Sequence, residues 1–228
     1  MILTYKKEDI INLIEKFKNE IHLLYKQDFI NYRGKTSDTG KYYTEIICEW
    51  LLENKHLLNK IPTITREESY KTKNHNGIIQ NINSNREEEK IAKEMYNNSY
   101  NFVGKIIDYQ TPLKNKLSDP VGKIDLLAYN KNILYLLELK KPDSTETMLR
   151  CVLEAYTYLK TVDTKKLLLD FNLPNSTIVK ASPFIFKNGL QHNEINDEHV
   201  NLIQLMKLLD IKPYYISRSN GKYIVTEK

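Results

Sequence analysis

Apolar side chains recur at three- and four-residue steps through residues 7–25, at Ile10, Ile14, Phe17, Ile21 and Leu24. That spacing lines one face of an amphipathic helix. A second stripe, Tyr43, Ile46, Ile47, Trp50 and Leu51, predicts a helix from Gly40 to Leu58, with Ser37 and Asp38 offering capping oxygens ahead of it. Together they predict an N-terminal helical hairpin. From Ile61 to Asn85 no period is sustained; Pro62, Asn74-His75-Asn76-Gly77 and an Asn/Ser cluster predict a linker or mobile loop. A third helix follows a Ser84-Asn85 cap and runs to Tyr96, with Glu87, Glu88 and Glu89 in the first turn, where the helix dipole favours acids.

The period then changes. Segments 103–109, 121–129 and 132–140 are short and rich in Val, Ile, Leu and Tyr, and turn signals at Pro112, Asp119-Pro120 and Asn130-Lys131-Asn132 divide them, so they read as three strands. The run Ile133-Leu134-Tyr135-Leu136-Leu137 fits a strand buried on both faces. A helix at 145–161 carries Leu149, Val152, Leu153, Tyr156 and Leu159 on one side. A strand from Ser176 to Phe186 and a helix from Asp197 to Leu209 follow. Tyr214–Ser217 and Tyr223–Val225 flank Asn220-Gly221, a pair suited to a type I′ hairpin turn. This order predicts an α/β fold with a central mixed sheet flanked by helices.

Composition narrows the class. A length of 228 residues suits one medium domain with an appendage, and 41% hydrophobic with 28% charged residues excludes a disordered chain. No apolar run approaches the roughly 20 residues of a membrane span, and Met1–Lys7 lacks the apolar stretch of a secretory signal. A cytoplasmic protein without a membrane partner is the expectation. Cys48 and Cys151 lie far apart and the histidines are scattered, so neither a disulfide framework nor a helical zinc site is predicted. Gly34-Lys35-Thr36 fails as a P-loop end, because Phe29 stands where its first glycine belongs. The net charge of +5 permits an anionic partner, although the lysine load equally fits an AT-rich genome.

Polar residues inside buried-looking strands are the informative ones. Asp125 interrupts the second strand of the three, and Glu138 and Lys140 end the third, on one face because side chains alternate. If those two strands form a hairpin, Asp125 approaches Glu138. Adjacent carboxylates repel unless a cation lies between them, and a hard divalent ion such as Mg²⁺ resolves the conflict. Lys140 could then orient or deprotonate a metal-bound water, an arrangement suited to phosphodiester hydrolysis. The plainer alternative is structural: Asp125 paired with Lys123 or Lys140, and Glu138 with Lys140.

Gly122-Lys123-Ile124-Asp125, the thirteen-residue step to Glu138, and Glu138-Leu139-Lys140 resemble the D…ExK core of the PD-(D/E)XK, or restriction-endonuclease-like, nuclease superfamily. The order of elements is also similar to that family's core, although Ile124 stands where the family has proline. The resemblance implies Asp125, Glu138 and the Leu139 carbonyl as metal ligands, Lys140 as the catalytic lysine, Mg²⁺ or Mn²⁺ as cofactor, and nucleic acid, DNA before RNA, as substrate. The resemblance covers residues 84–186 and says nothing of the rest; with the predicted elements around it the chain divides into a helical extension (1–60), a loop or linker (61–85), a nuclease-like core (86–186) and a C-terminal helix and hairpin packed on the core (187–228). A homodimer is left open.

Glu88 shares the sheet-facing stripe of Ile91, Ala92 and Met95 and is the candidate acid of the first core helix, with Glu89 second. Arg150, Glu154 and Tyr158 recur at four-residue steps and resemble the QxxxY motif of RecB-like nucleases, with Glu154 in place of Gln. As ordinary helix chemistry they are an Arg150–Glu154 pair and a core tyrosine. Two rivals stand beside the nuclease: a non-catalytic nucleic-acid-binding or protein-interaction module on the same fold, and a metal-dependent hydrolase of a small phosphorylated substrate.

Overall fold

A computed structural model describes residues 4–116, 118–119, 121–196 and 199–227. Its helices are α1 (Lys7–Glu15), α2 (Tyr43–Glu53), α3 (Glu87–Met95), α4 (Met148–Thr161), α5 (Thr164–Asp170), α6 (Leu190–Asn196) and α7 (Val200–Leu208). Its strands are β1 (Ser99–Tyr100), β2 (Gly104–Pro112), β3 (Lys123–Asn130), β4 (Ile133–Leu139), β5 (Ile178–Phe186), β6 (Tyr214–Ser219) and β7 (Lys222–Thr226). The strands stand in chain order across one mixed sheet. β1 to β4 form an antiparallel meander, β5 and β6 continue it in parallel, and β7 turns back against β6. Parallel neighbours need long crossovers, and the helix pairs α4–α5 and α6–α7 supply them.

Two turns set the register of their hairpins. Lys131 and Asn132 (φ 44° and 67°) join β3 to β4, and Asn220 and Gly221 (φ 49° and 75°) join β6 to β7. Two successive left-handed residues match the type I′ turn, whose twist suits the strands it links.

Both faces of the sheet are covered. Leu127, Leu134, Leu136, Ala181 and Ile185 pack into one large apolar cluster with α4, α7 and the residues of α1 and α2, so the N-terminal helices share a core with the sheet. On the other face Leu126, Leu137, Leu139 and Phe184 meet Ile91, Ala92 and Met95 of α3. The continuous apolar run of β4 is thus buried on both sides, as its sequence predicts.

The N-terminal region departs from the expected pair of long helices. The stripe at 7–25 is cut after Glu15, and Ile21 and Leu24 enter the core from a 3₁₀ helix at Ile21–Lys26. A three-residue step serves either helix type, and polar Lys18-Asn19-Glu20 offers nothing to bury through the turn. The second helix begins at Tyr43, not Gly40, and gives way to a 3₁₀ helix at Lys55–Lys60. Asp38 does cap a helix, but it caps α1: its carboxylate accepts from the Lys7 N–H at 3.0 and 3.2 Å.

Downstream, β2 continues past residue 109 to Pro112, and α5 and α6 are additional helices. The last predicted helix appears as α7; its expected start at Asp197, like the Pro120 turn signal, lies outside the described residues. Residues 61–85 hold no helix or regular strand, yet the segment is tethered. Tyr70 is fully buried, its N–H donates to Asp170 Oδ2 at 2.7 Å, and its hydroxyl donates to the Ile64 carbonyl and accepts from the Asp163 N–H.

Candidate active site

The ends of β3 and β4 build the site. Leu127 pairs with Leu136 and Leu126 with Leu137. One further step of that register sets Asp125 across from Glu138, on the face shared with Leu127 and Leu136. The ladder stops there because the Asp125 side chain takes over: Oδ2 accepts from the Leu139 N–H at 2.9 Å, and Oδ1 accepts from Gln110 Nε2 at 2.9 Å. Gln110 comes from β2 with a left-handed backbone (φ 48°). Among the described residues Asp125 makes no ion pair with Lys123 or Lys140.

Lys140, one residue beyond β4, is enclosed by acids. Its Nζ lies 2.7 Å from Glu138 Oε1, 2.7 Å from Glu146 Oε2 and 3.3 Å from Glu154 Oε2. Glu138 Oε2 is buried without a hydrogen-bond partner. From α4, Tyr158 donates its hydroxyl to Glu154 Oε1 at 2.8 Å, while its ring meets Tyr25 edge-on at 5.9 Å. Arg150 Nε pairs with Glu146 Oε1 at 3.1 Å, so the plain Arg150–Glu154 ion pair does not form and Glu154 turns to Lys140. Gly122 makes room for the tyrosine: a Cβ there would lie 2.3 Å from the Tyr158 hydroxyl oxygen.

Acids outnumber cations at this point, and the ionisations respond. Burial pushes the Asp125 carboxyl up to about 7; Lys140 opposes the shift, and Glu88 and Glu154 add to it. Burial, then Asp125 and Glu154, push Glu138 well above the usual carboxylate range. Burial works against the Lys140 ammonium, but Glu138 and Glu154 outweigh it and hold the proton firmly. Glu154 stays below its ordinary value despite burial, because Lys140 and the Tyr158 hydroxyl stabilise its charge. An acid-rich cluster with one locked ammonium is equipped to bind further positive charge.

On the α3 side Glu88, Asp125, Gln110 and Lys141 line a cavity of about 340 Å³. Glu88 Oε1 accepts from the Lys141 N–H at 3.2 Å, and burial pushes its carboxyl up against the pull of Lys140. Glu89 reaches the same cavity but is paired with Lys93 at 2.7 Å and Arg86 at 3.4 Å. The structure therefore gathers Asp125, Glu138, Lys140, Glu88, Glu154 and Tyr158 into one neighbourhood, with the Leu139 peptide against Asp125. Gln110 and Glu146 join it without having been anticipated. Among the described residues, no three His, Cys, Asp or Glu side chains are gathered closely enough to hold a metal ion. No helix among them is long and apolar enough to cross a membrane. Comparison of the chain with protein-family models, curated proteins and solved structures returned no match.

Proposed function

We propose that the chain is a metal-dependent nuclease with a restriction-endonuclease-like core, hydrolysing phosphodiester bonds in nucleic acid, DNA before RNA. The observation that carries this reading is the register that sets Asp125 across from Glu138, with Lys140 next on the same face and the Leu139 peptide against Asp125. The order α3, β1, β2, β3, β4, α4, α5, β5, which keeps the helix, strands, helix and strand of that core with β1 and α5 added, supports it as well.

The residues fit a hard divalent ion. Glu138 keeps a buried oxygen without a partner. The Leu139 N–H faces β3, and strand geometry sends the carbonyl of the same residue to that edge. Asp125, Glu138 and the Leu139 carbonyl would hold Mg²⁺ or Mn²⁺ through oxygen alone. When bound, such an ion stabilises charge on phosphate oxygens and lowers the pKa of water. Lys140, held as an ammonium by Glu138 and Glu154, would orient that water and keep the two acids in place. Glu88, which lines the same cavity as Asp125, would hold a water and accept its proton.

A binding module without catalysis is the second reading, favoured by the ion pairs that Lys140 itself makes with the acids. Incubation of linear and circular, single- and double-stranded DNA and RNA, and of a small aryl phosphodiester, with Mg²⁺ or Mn²⁺ separates the readings. Cleavage of nucleic acid that EDTA stops is the expected result. Binding without cleavage favours the module, and turnover of the small ester alone favours a small-substrate hydrolase.

A further inference from the structure

His75 and Asp108 stand apart from the acid cluster, and none of the roles above uses them. His75 Nδ1 lies 2.5 Å from Asp108 Oδ1, and its ring stacks on Tyr109 with centroids 4.2 Å apart. Asp108 is 2% exposed, and its second oxygen accepts the Thr111 hydroxyl at 2.8 Å. A carboxylate bonded to one ring nitrogen fixes the orientation of an imidazole and leaves the other nitrogen for a ligand. Here that atom is Nε2.

The backbone on both sides is shaped around this pair. The β2–β3 register shifts between Ile106 and Asp108, a bulge that re-aims the side chains after it. Gly77, at φ 75°, donates its N–H to the Tyr109 hydroxyl at 3.3 Å, and a Cβ there would press on the Tyr96 ring at 3.1 Å. Burying a carboxylate is a costly way to anchor a loop, which argues for a use of the ring it orients.

His75 lines a cavity of about 190 Å³ with Arg86, Lys93, Lys123 and Gln110. Arg86, Glu89 and Gln110 also line the Asp125 cavity, so the two spaces abut across Gln110, whose amide holds Asp125. Glu89 is the acid of this wall and is paired with Lys93 and Arg86. Lys123 is exposed at the start of β3 and makes no ion pair among the described residues. We propose that the His75–Asp108 dyad, with Lys123 and Arg86, seats a second backbone phosphate of the nucleic acid beside the one processed at Asp125 and Glu138. The proposal rests on the nuclease reading and adds to it a subsite for a phosphate that does not react. With Nδ1 bonded to Asp108, Nε2 is the ring atom left to meet a phosphate oxygen, beside the fixed charges of Lys123 and Arg86.

Fluorescence anisotropy with fluorescein-labelled DNA in EDTA reads binding without cleavage. His75→Asn keeps an N–H in the place of Nδ1 for Asp108 and loses Nε2. Its dissociation constant rises about five- to tenfold while the melting temperature is held. Lys123→Ala weakens binding to a similar degree without touching the dyad, and Lys207→Ala, on α7, changes nothing. Wild-type affinity in a folded His75→Asn overturns the subsite; if that variant does not fold, wild-type affinity in Lys123→Ala overturns it. In either case Mg²⁺-dependent cleavage by the wild type continues and leaves the nuclease reading standing. A wild-type chain that neither binds nor cleaves DNA takes down both.

Discussion

Lys140 Nζ lies 2.7 Å from Glu138 Oε1, and both residues are only 4% exposed. Glu146 and Glu154 reach the same ammonium, so Lys140 touches three carboxylates, of which Glu146 also holds Arg150. Lys140→Met fills similar volume but strands those charges, and the expected loss of stability is about 3–5 kcal/mol. Urea denaturation at neutral pH measures it. Adding Glu154→Gln recovers part of the loss, whereas a pair of solvent type would cost under about 1 kcal/mol and show no recovery.

Gly122 sits three residues before Asp125 because Tyr158 needs the space. Gly122→Ala forces a methyl against the tyrosine hydroxyl and is expected to cost about 1–3 kcal/mol. Tyr158→Phe removes the clashing oxygen. The double variant therefore melts above Gly122→Ala alone, and additive losses in thermal scans would show that the two do not meet.

Asp125 makes stability depend on pH when no metal is present. Its folded pKa of about 7 exceeds the unfolded value of about 3.9, so the folded state keeps a proton that the unfolded state releases. The associated stability is complete below about pH 4 and is lost as the pH rises through 7. Asp125→Asn removes this slope. In EDTA at pH 8 it melts above the wild type, by about 2–4 °C for each kcal/mol gained, and at pH 4 the two coincide. Mg²⁺ raises the wild-type melting temperature at pH 8 and leaves Asp125→Asn unmoved. Parallel melting curves across this range would contradict the burial of this carboxyl.

The β3–β4 hairpin that carries Asp125 toward Glu138 was legible because it depends only on a two-residue period and a short turn. Lys131 and Asn132 close that turn in the way the Asn-Lys-Asn signal suggests. Glu154 and Tyr158 were legible as four-residue steps of α4, but the sequence favoured an Arg150–Glu154 pair that the structure replaces with Glu154–Lys140. Gln110 was hidden, since it joins Asp125 only when β2 runs on to Pro112 after a bulge that no local pattern announces. His75 was hidden because its partner is thirty-three residues away and its own segment has no period. The break after Glu15 shows the limit of spacing itself, which Ile21 and Leu24 satisfy in a 3₁₀ helix as well as in an α-helix. Helix α5 did carry a signal, the cap at Asp163, whose carboxylate accepts from the Lys166 N–H at 3.1 Å.

Cleavage of end-labelled DNA under single-turnover conditions in Mg²⁺, by the wild type and by Asp125→Asn, tests the central claim most directly. The wild type is predicted to cleave, EDTA to abolish the reaction, and Asp125→Asn to be slower by at least about a hundredfold while remaining folded. Equal rates in the two proteins, or no cleavage of any nucleic acid by the wild type, would contradict it.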